Sequence, residues 1–240
     1  MIAGFDFSLL AYDSPGWGKA LLVGALQSVK LAAGGYALGI VIGTVGAACK
    51  LYGSSILKDL AEIYTTVIRA VPELVLMLLF YYAGTDLISR LMVSLGYERV
   101  DVNGLLAGIL VLGAVMGGYA TEVLRGAIRA VPHGQIEAAR AFGMSPLMVF
   151  RRVTLPAMIP HALPGMANLW MIVTKDTALL AVIGFSELTL VTRQAASATR
   201  AYFLFFLAAG ALYLVLTLTS NIILRLVERR SRRGLAPAAG

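Results

Sequence analysis

The sequence predicts an all-α, polytopic membrane protein built as one domain of about five transmembrane helices. Three observations carry this. Of 240 residues, 59% are hydrophobic and only 14% charged, whereas a soluble domain carries roughly a quarter charged residues. The apolar residues gather into five stretches, at Leu21–Cys49, Ile56–Gly84, Leu105–Ile128, Met158–Gly184 and Ala201–Val227. Each can supply the ~20 residues that a spanning helix needs. The basic residues are also unevenly shared between the connections, as topology requires.

The segment before Lys19 holds Asp6 and Asp13 and no Lys or Arg. It lacks the basic start of a cleaved signal peptide. The first span carries Gly35, Gly39 and Gly43 on one stripe. Small residues so spaced let helix backbones approach closely in lipid. Packing inside the subunit is the first reading and a contact between subunits the second. Lys30, in the outer part of this span, is expected to snorkel to the interface. The third span is also glycine-rich, at Gly108, Gly113, Gly117 and Gly118. The fourth is interrupted by Lys175 and Asp176.

With the N-terminus outside, twelve of the twenty Lys and Arg residues fall in cytoplasmic segments and five in external ones. Five spans then leave the C-terminus, with its Arg229-Arg230-Ser231-Arg232-Arg233 run, in the cytoplasm. The formal net charge of +7 is thereby assigned to topology and anionic lipid rather than to nucleic acid.

The most patterned segment is the connection between spans three and four, residues 132–156. Pro132-His133-Gly134 ends the third span. Gln135 to Phe142 reads as a short helix rich in helix formers. Gly143 suits the left-handed residue that ends a helix. Ser145-Pro146 is an N-cap followed by a first-turn proline. It predicts a second helix from Leu147 to about Val153, closed by Leu155-Pro156. In the first helix Ala138, Ala139 and Ala141 form a small face that permits close approach, and Glu137 and Arg140 lie three apart on one side. Such a pair suits insertion into a soluble partner, and it suits equally a position on the headgroups.

At these residues a family resemblance appears. The run Gly134-Gln135-Ile136-Glu137-Ala138-Ala139-Arg140-Ala141-Phe142-Gly143, with Leu155-Pro156 after a spacer, resembles the EAA loop of binding-protein-dependent ABC permeases. Residues 64–76, Tyr-Thr-Thr-Val-Ile-Arg-Ala-Val-Pro-Glu-Leu-Val-Leu, resemble the second-span signature of the polar amino acid permeases. Thr121–Ile128 and Lys175-Asp176-Thr177-Ala178-Leu179 also match. The similarity spans nearly the whole chain. It is nearest the Q-type subunits of histidine, lysine-arginine-ornithine and opine transporters, with Ala70 where the family usually has Gly.

The resemblance implies the permease fold of a type I ABC importer in the bacterial inner membrane, with a periplasmic N-terminus. It implies two ATP-binding subunits, a second and related M-type permease, and a periplasmic solute-binding protein. It assigns ATPase coupling to Glu137, Ala138, Ala139, Arg140, Phe142 and Gly143. The chain has no G-x-x-x-x-G-K-[ST] run, so ATP and Mg would be bound by a partner and this subunit would not be an enzyme. His133, His161 and Cys49 have no metal-ligand spacing.

Charges inside spans are functional candidates. Asp176 and Lys175 suit the ammonium and carboxylate of an amino acid on its path, and Asn168 lies two turns earlier. Pairing with other helices is the competing reading for the two charges. Arg69 and Glu73 are expected to pair along one helix, with Pro72 kinking it. A competing function is a transporter or channel that works without ATP, which leaves the loop helices unexplained.

Overall fold

The structure is a computed structural model and describes residues 6–98 and 103–231. Arg99, Arg232 and Arg233, which entered the charge count, lie outside these. Nine α-helices are described: α1 (Gly18–Tyr52), α2 (Ser55–Ala70), α3 (Glu73–Ser94), α4 (Gly104–Arg129), α5 (His133–Ala141), α6 (Pro146–Val149), α7 (Leu155–Asp176), α8 (Leu188–Thr199) and α9 (Tyr202–Ser231). No strand is described.

The glycine stripe of α1 is the seat of α4, and these two helices form the most extensive contact in the fold. A Cβ on Gly39 would fall 2.6 Å from that of Met116, and one on Gly43 would fall 2.5 Å from that of Ala120. The stripe therefore packs within the subunit. Close backbone approach supplies dispersion contacts that lipid cannot match. The core continues from α4 onto α7 through Met166, Leu169 and Val173. Tyr36 of α1 adds a bond from its hydroxyl to the Met166 carbonyl at 2.9 Å.

The apolar stretch Ile56–Gly84 is not one helix. It breaks at Val71-Pro72, where Val71 is extended and Pro72 caps α3. Proline has no N–H to give and drives the residue before it out of the helical region. The expected kink is thus a full break, and Arg69 and Glu73 end on different helices. The long apolar helix of this region is Glu73–Ser94. Four described helices have the length and composition to cross a membrane: α1, α3, α4 and α9, the last through Leu226. The fourth expected span, Met158–Gly184, is the 22-residue α7 followed by a 3-10 segment at Thr177–Val182. Pro160, Pro164 and Lys175 dilute its apolar character. Glycine 184 then turns the chain with φ +98°.

A second core joins α1, α8 and α9. Its polar centre is the fully buried Glu187, which caps α8. Its carboxylate accepts from Ser28 Oγ at 3.0 Å, Tyr213 OH at 3.0 Å and Leu190 N at 2.9 Å. Every bond to this carboxylate comes from a different element or from the cap itself, so it fixes α8 across α1 and α9.

Candidate functional site: the loop helices and a polar cluster at the helix break

α5 leaves α4 through the buried Val131 and is begun by Pro132. It starts two residues earlier than the sequence suggests and ends one earlier. Its end is a Schellman closure. The Gly143 N–H donates to Arg140 O at 2.9 Å, and the Met144 N–H donates to Ala139 O at 3.2 Å. Gly143 has φ +77°, as its position demands. Ser145 then caps α6, its Oγ accepting from Met148 N at 3.4 Å.

The Leu155-Pro156 pair expected to end the second loop helix does not end it. The chain runs through a π turn at Phe150–Thr154 straight into α7. In that turn Leu155 N donates to Phe150 O, five residues back. The wider turn falls just before Pro156, which has no N–H for the ordinary ladder, so the helix passes the proline intact. α6, the π turn and α7 are one rod. Helical backbone runs without interruption from Pro146 to Asp176.

The exposed side of α5 carries Glu137, Ala138, Arg140 and Ala141, and Phe142 follows with 86% of its surface bare. Ala139 is different. It is buried against the subunit's own body, so the expected small face of three alanines is split. Its missing bulk lets α5 lie close to the bundle. Glu137 and Arg140 form no ion pair among the described residues. Behind α5 lies a cavity of about 660 Å³, lined by Leu51 and Tyr52 of α1, Ile128 of α4, Ile136 of α5 and Val149 of α6, among others.

Toward the bundle, the helix break brings together charges that are far apart in sequence. Glu73, in the first turn of α3, accepts from Tyr119 OH of α4 at 3.0 Å. Asp176 of α7 faces the same carboxylate, and its Oδ2 is buried with no hydrogen-bond partner. Arg69, at the end of α2, lies within electrostatic reach of Tyr119. Asp176 is therefore a member of this cluster. Asn168, eight residues or roughly 12 Å back along the helix, is not. Asn168 and Lys175 are exposed. With His161 they make a stripe at seven-residue spacing on one side of α7.

Sequence reading missed Glu73 and Tyr119 as members of this site. The available signal was Pro72 directly before Glu73, which marks a broken helix, and broken helices in transporters line binding sites. Lys50 falls just past the first expected span, Leu21–Cys49. Lys50 is in the last turn of α1 and is only 8% exposed.

These features define a multi-span helical membrane protein with a structured, largely exposed helical loop between α4 and α7. Residues 35–233 match the family described as binding-protein-dependent transport system inner membrane component, and the chain belongs to that family. It is 41% identical to the octopine transport system permease protein OccQ of Rhizobium radiobacter, over 96% of this chain and 98% of that protein. It is 41% identical to the histidine/lysine/arginine/ornithine transport system permease protein HisQ of Salmonella typhimurium, over 93% and 98%. A crystal structure of an amino acid ABC transporter with histidines superposes with a TM-score of 0.76 at 32% identity, covering 89% of this chain and 95% of that one. The MetNI methionine ABC transporter, in an inward-facing form, superposes at 0.67 and 19% identity, covering 90% and 99%, and shares the fold.

Proposed function

We propose that this permease subunit imports polar, basic amino acids or opines across the bacterial inner membrane, driven by ATP that a separate subunit hydrolyses. The exposed α5, ending in the bare Phe142, carries the reading. An aromatic side chain left open next to Glu137 and Arg140 is the kind of anchor that a protein partner buries. The relatives' names, octopine and histidine/lysine/arginine/ornithine, support a cationic substrate. So do the carboxylates of Glu73 and Asp176 at the break.

In this mechanism the loop end is cytoplasmic and the N-terminus periplasmic. A solute-binding protein delivers the amino acid outside. Two ATPase subunits, which bind ATP and Mg, close inside, and each pulls one α5. The rod of α6 and α7 carries that movement to Asp176. The break at Val71-Pro72 leaves Glu73 free to meet the substrate's positive group beside Asp176. Lys175, on the exposed side of α7, suits its carboxylate. The stripe of His161, Asn168 and Lys175 suits a second, related M-type permease and the path between the two, because polar side chains on a lipid-facing surface are costly.

The test is Glu137→Ala in the assembled transporter. Hydrolysis stimulated by the loaded binding protein is expected to fall by about tenfold or more, as for removal of a partly buried charged contact, with the chain's own stability unchanged. Normal stimulated hydrolysis would remove Glu137 from the coupling role. Asp176→Asn is expected to weaken uptake of arginine more than uptake of glutamine. An unchanged substrate profile would leave Asp176 a packing residue.

A further inference from the structure

Lys50 joins three helices. Its Nζ donates to Thr65 Oγ1 of α2 at 2.6 Å and lies 2.7 Å from Glu62 of α2. It also contacts the carboxylate of Glu122 on α4. Arg125 holds the other oxygen of Glu122 at 2.6 Å. The lysine is almost wholly buried and Glu122 largely so, while Glu62 is exposed. A buried ammonium with three acceptors is held in place by the cost of leaving any of them unpaired.

The position of this cluster gives it a further role. α2 buries Ala61, Thr65 and Ile68, and the Tyr64 hydroxyl donates to the Ala114 carbonyl of α4, so the Lys50 cluster is the ionic part of a short seam. Thr65 lies six residues before the Val71 break, roughly 9 Å along the helix, and Glu122 lies one turn from Tyr119. On the other side, Leu51 and Tyr52, which directly follow Lys50, line the cavity behind α5 together with Ile128 and Ile136. The ionic cluster thus stands between the loop helices and the polar cluster at the break.

We propose that Lys50 is a positioning residue for energy coupling. It locks α2 to the end of α4, so that a displacement of the loop carries the α2 side of the break with it. The proposal rests on the ATP-driven reading above. Lys50 and Glu122 are both required for it. Glu62 reaches solvent and adds little, since exposed ion pairs are weak.

The experiment uses the full transporter, with both permeases, the ATPase and the binding protein, in lipid nanodiscs. Hydrolysis is measured without and with binding protein loaded with arginine, histidine, lysine or octopine. Lys50→Met and Glu122→Gln are expected to assemble and keep basal hydrolysis. Both should lose stimulation by about fivefold or more, the lower end of ordinary coupling between sites. Lys50→Arg should restore most of it and Glu62→Gln should change little. Amide exchange in residues 55–70 should quicken in Lys50→Met. Wild-type stimulation retained in both variants, with α2 protected as before, overturns the proposal. Failure of both variants to assemble assigns the cluster to folding and overturns it too. A wild-type complex that no loaded binding protein stimulates overturns instead the ATP-driven reading on which it rests.

Discussion

Gly143→Val is expected to damage coupling more than any other single change in the loop. The position has φ +77°, and a Cβ placed there would meet no atom within 4 Å. Space is therefore not the obstacle. The obstacle is the left-handed backbone, which a β-branched residue adopts only at a cost of about 1–3 kcal/mol. The chain can avoid that cost by unwinding the end of α5. It then loses the closure from Gly143 and Met144 to Arg140 and Ala139, and Phe142 no longer points in one direction. Capture of the ATPase subunit by the purified permease should weaken by about 5- to 150-fold, the equivalent of that strain. Gly143→Asn is the control, because asparagine tolerates the same conformation. If valine and asparagine behave alike, the closure does not set the docking geometry.

Gly43→Leu is expected to act on the bundle rather than on the loop. Its Cβ would lie 2.5 Å from Ala120 Cβ, 2.9 Å from the Ala120 carbonyl carbon and 3.0 Å from Thr121 N. None of these atoms can swing away, because two are backbone and the third is bonded to it. The helices must separate along their largest contact, at a cost of about 3 kcal/mol or more. That is a large share of the ~5–15 kcal/mol that ordinarily stabilises a fold. The thermal midpoint of the detergent-purified subunit measures it. Gly210→Leu on α9, where an added Cβ meets nothing within 4 Å, should leave the midpoint near wild type. Equal behaviour of the two variants would mean that the stripe is not the seat of α4.

What could be read from the sequence was what depends on near neighbours. Gly143, Ser145 and Pro146 announce their conformations through their own steric and hydrogen-bonding chemistry, and the structure has each where the loop pattern puts it. The glycine stripe of α1 was equally visible, though its partner was not. The two prolines were harder. Pro72 reads as a kink and is a break, because Val71 before it goes fully extended. Pro156 reads as a stop and is passed, because the π turn before it supplies the slack. One residue type gave opposite outcomes, decided by the turn that precedes it.

The polar cluster was only partly legible. Asp176 stood out as a charge in an apolar stretch. Glu73 looked like the partner of Arg69, since local spacing is all that a sequence displays. Its contacts, Tyr119 and Asp176, lie 46 and 103 residues away and meet it only through the packing of α3, α4 and α7. Ala139 shows the same limit on a smaller scale. Helical periodicity places it beside Ala138, but only the docking of α5 on the bundle decides that it faces inward.

The central claim is that this permease is driven through α5 by a separate ATPase. The most direct measurement is uptake of labelled arginine, histidine and octopine into proteoliposomes that hold the assembled transporter, with the binding protein outside and ATP enclosed. Uptake should require the enclosed ATP and should be lost with Glu137→Ala. Uptake by this chain alone, sustained by an ion gradient without ATP, would contradict the account.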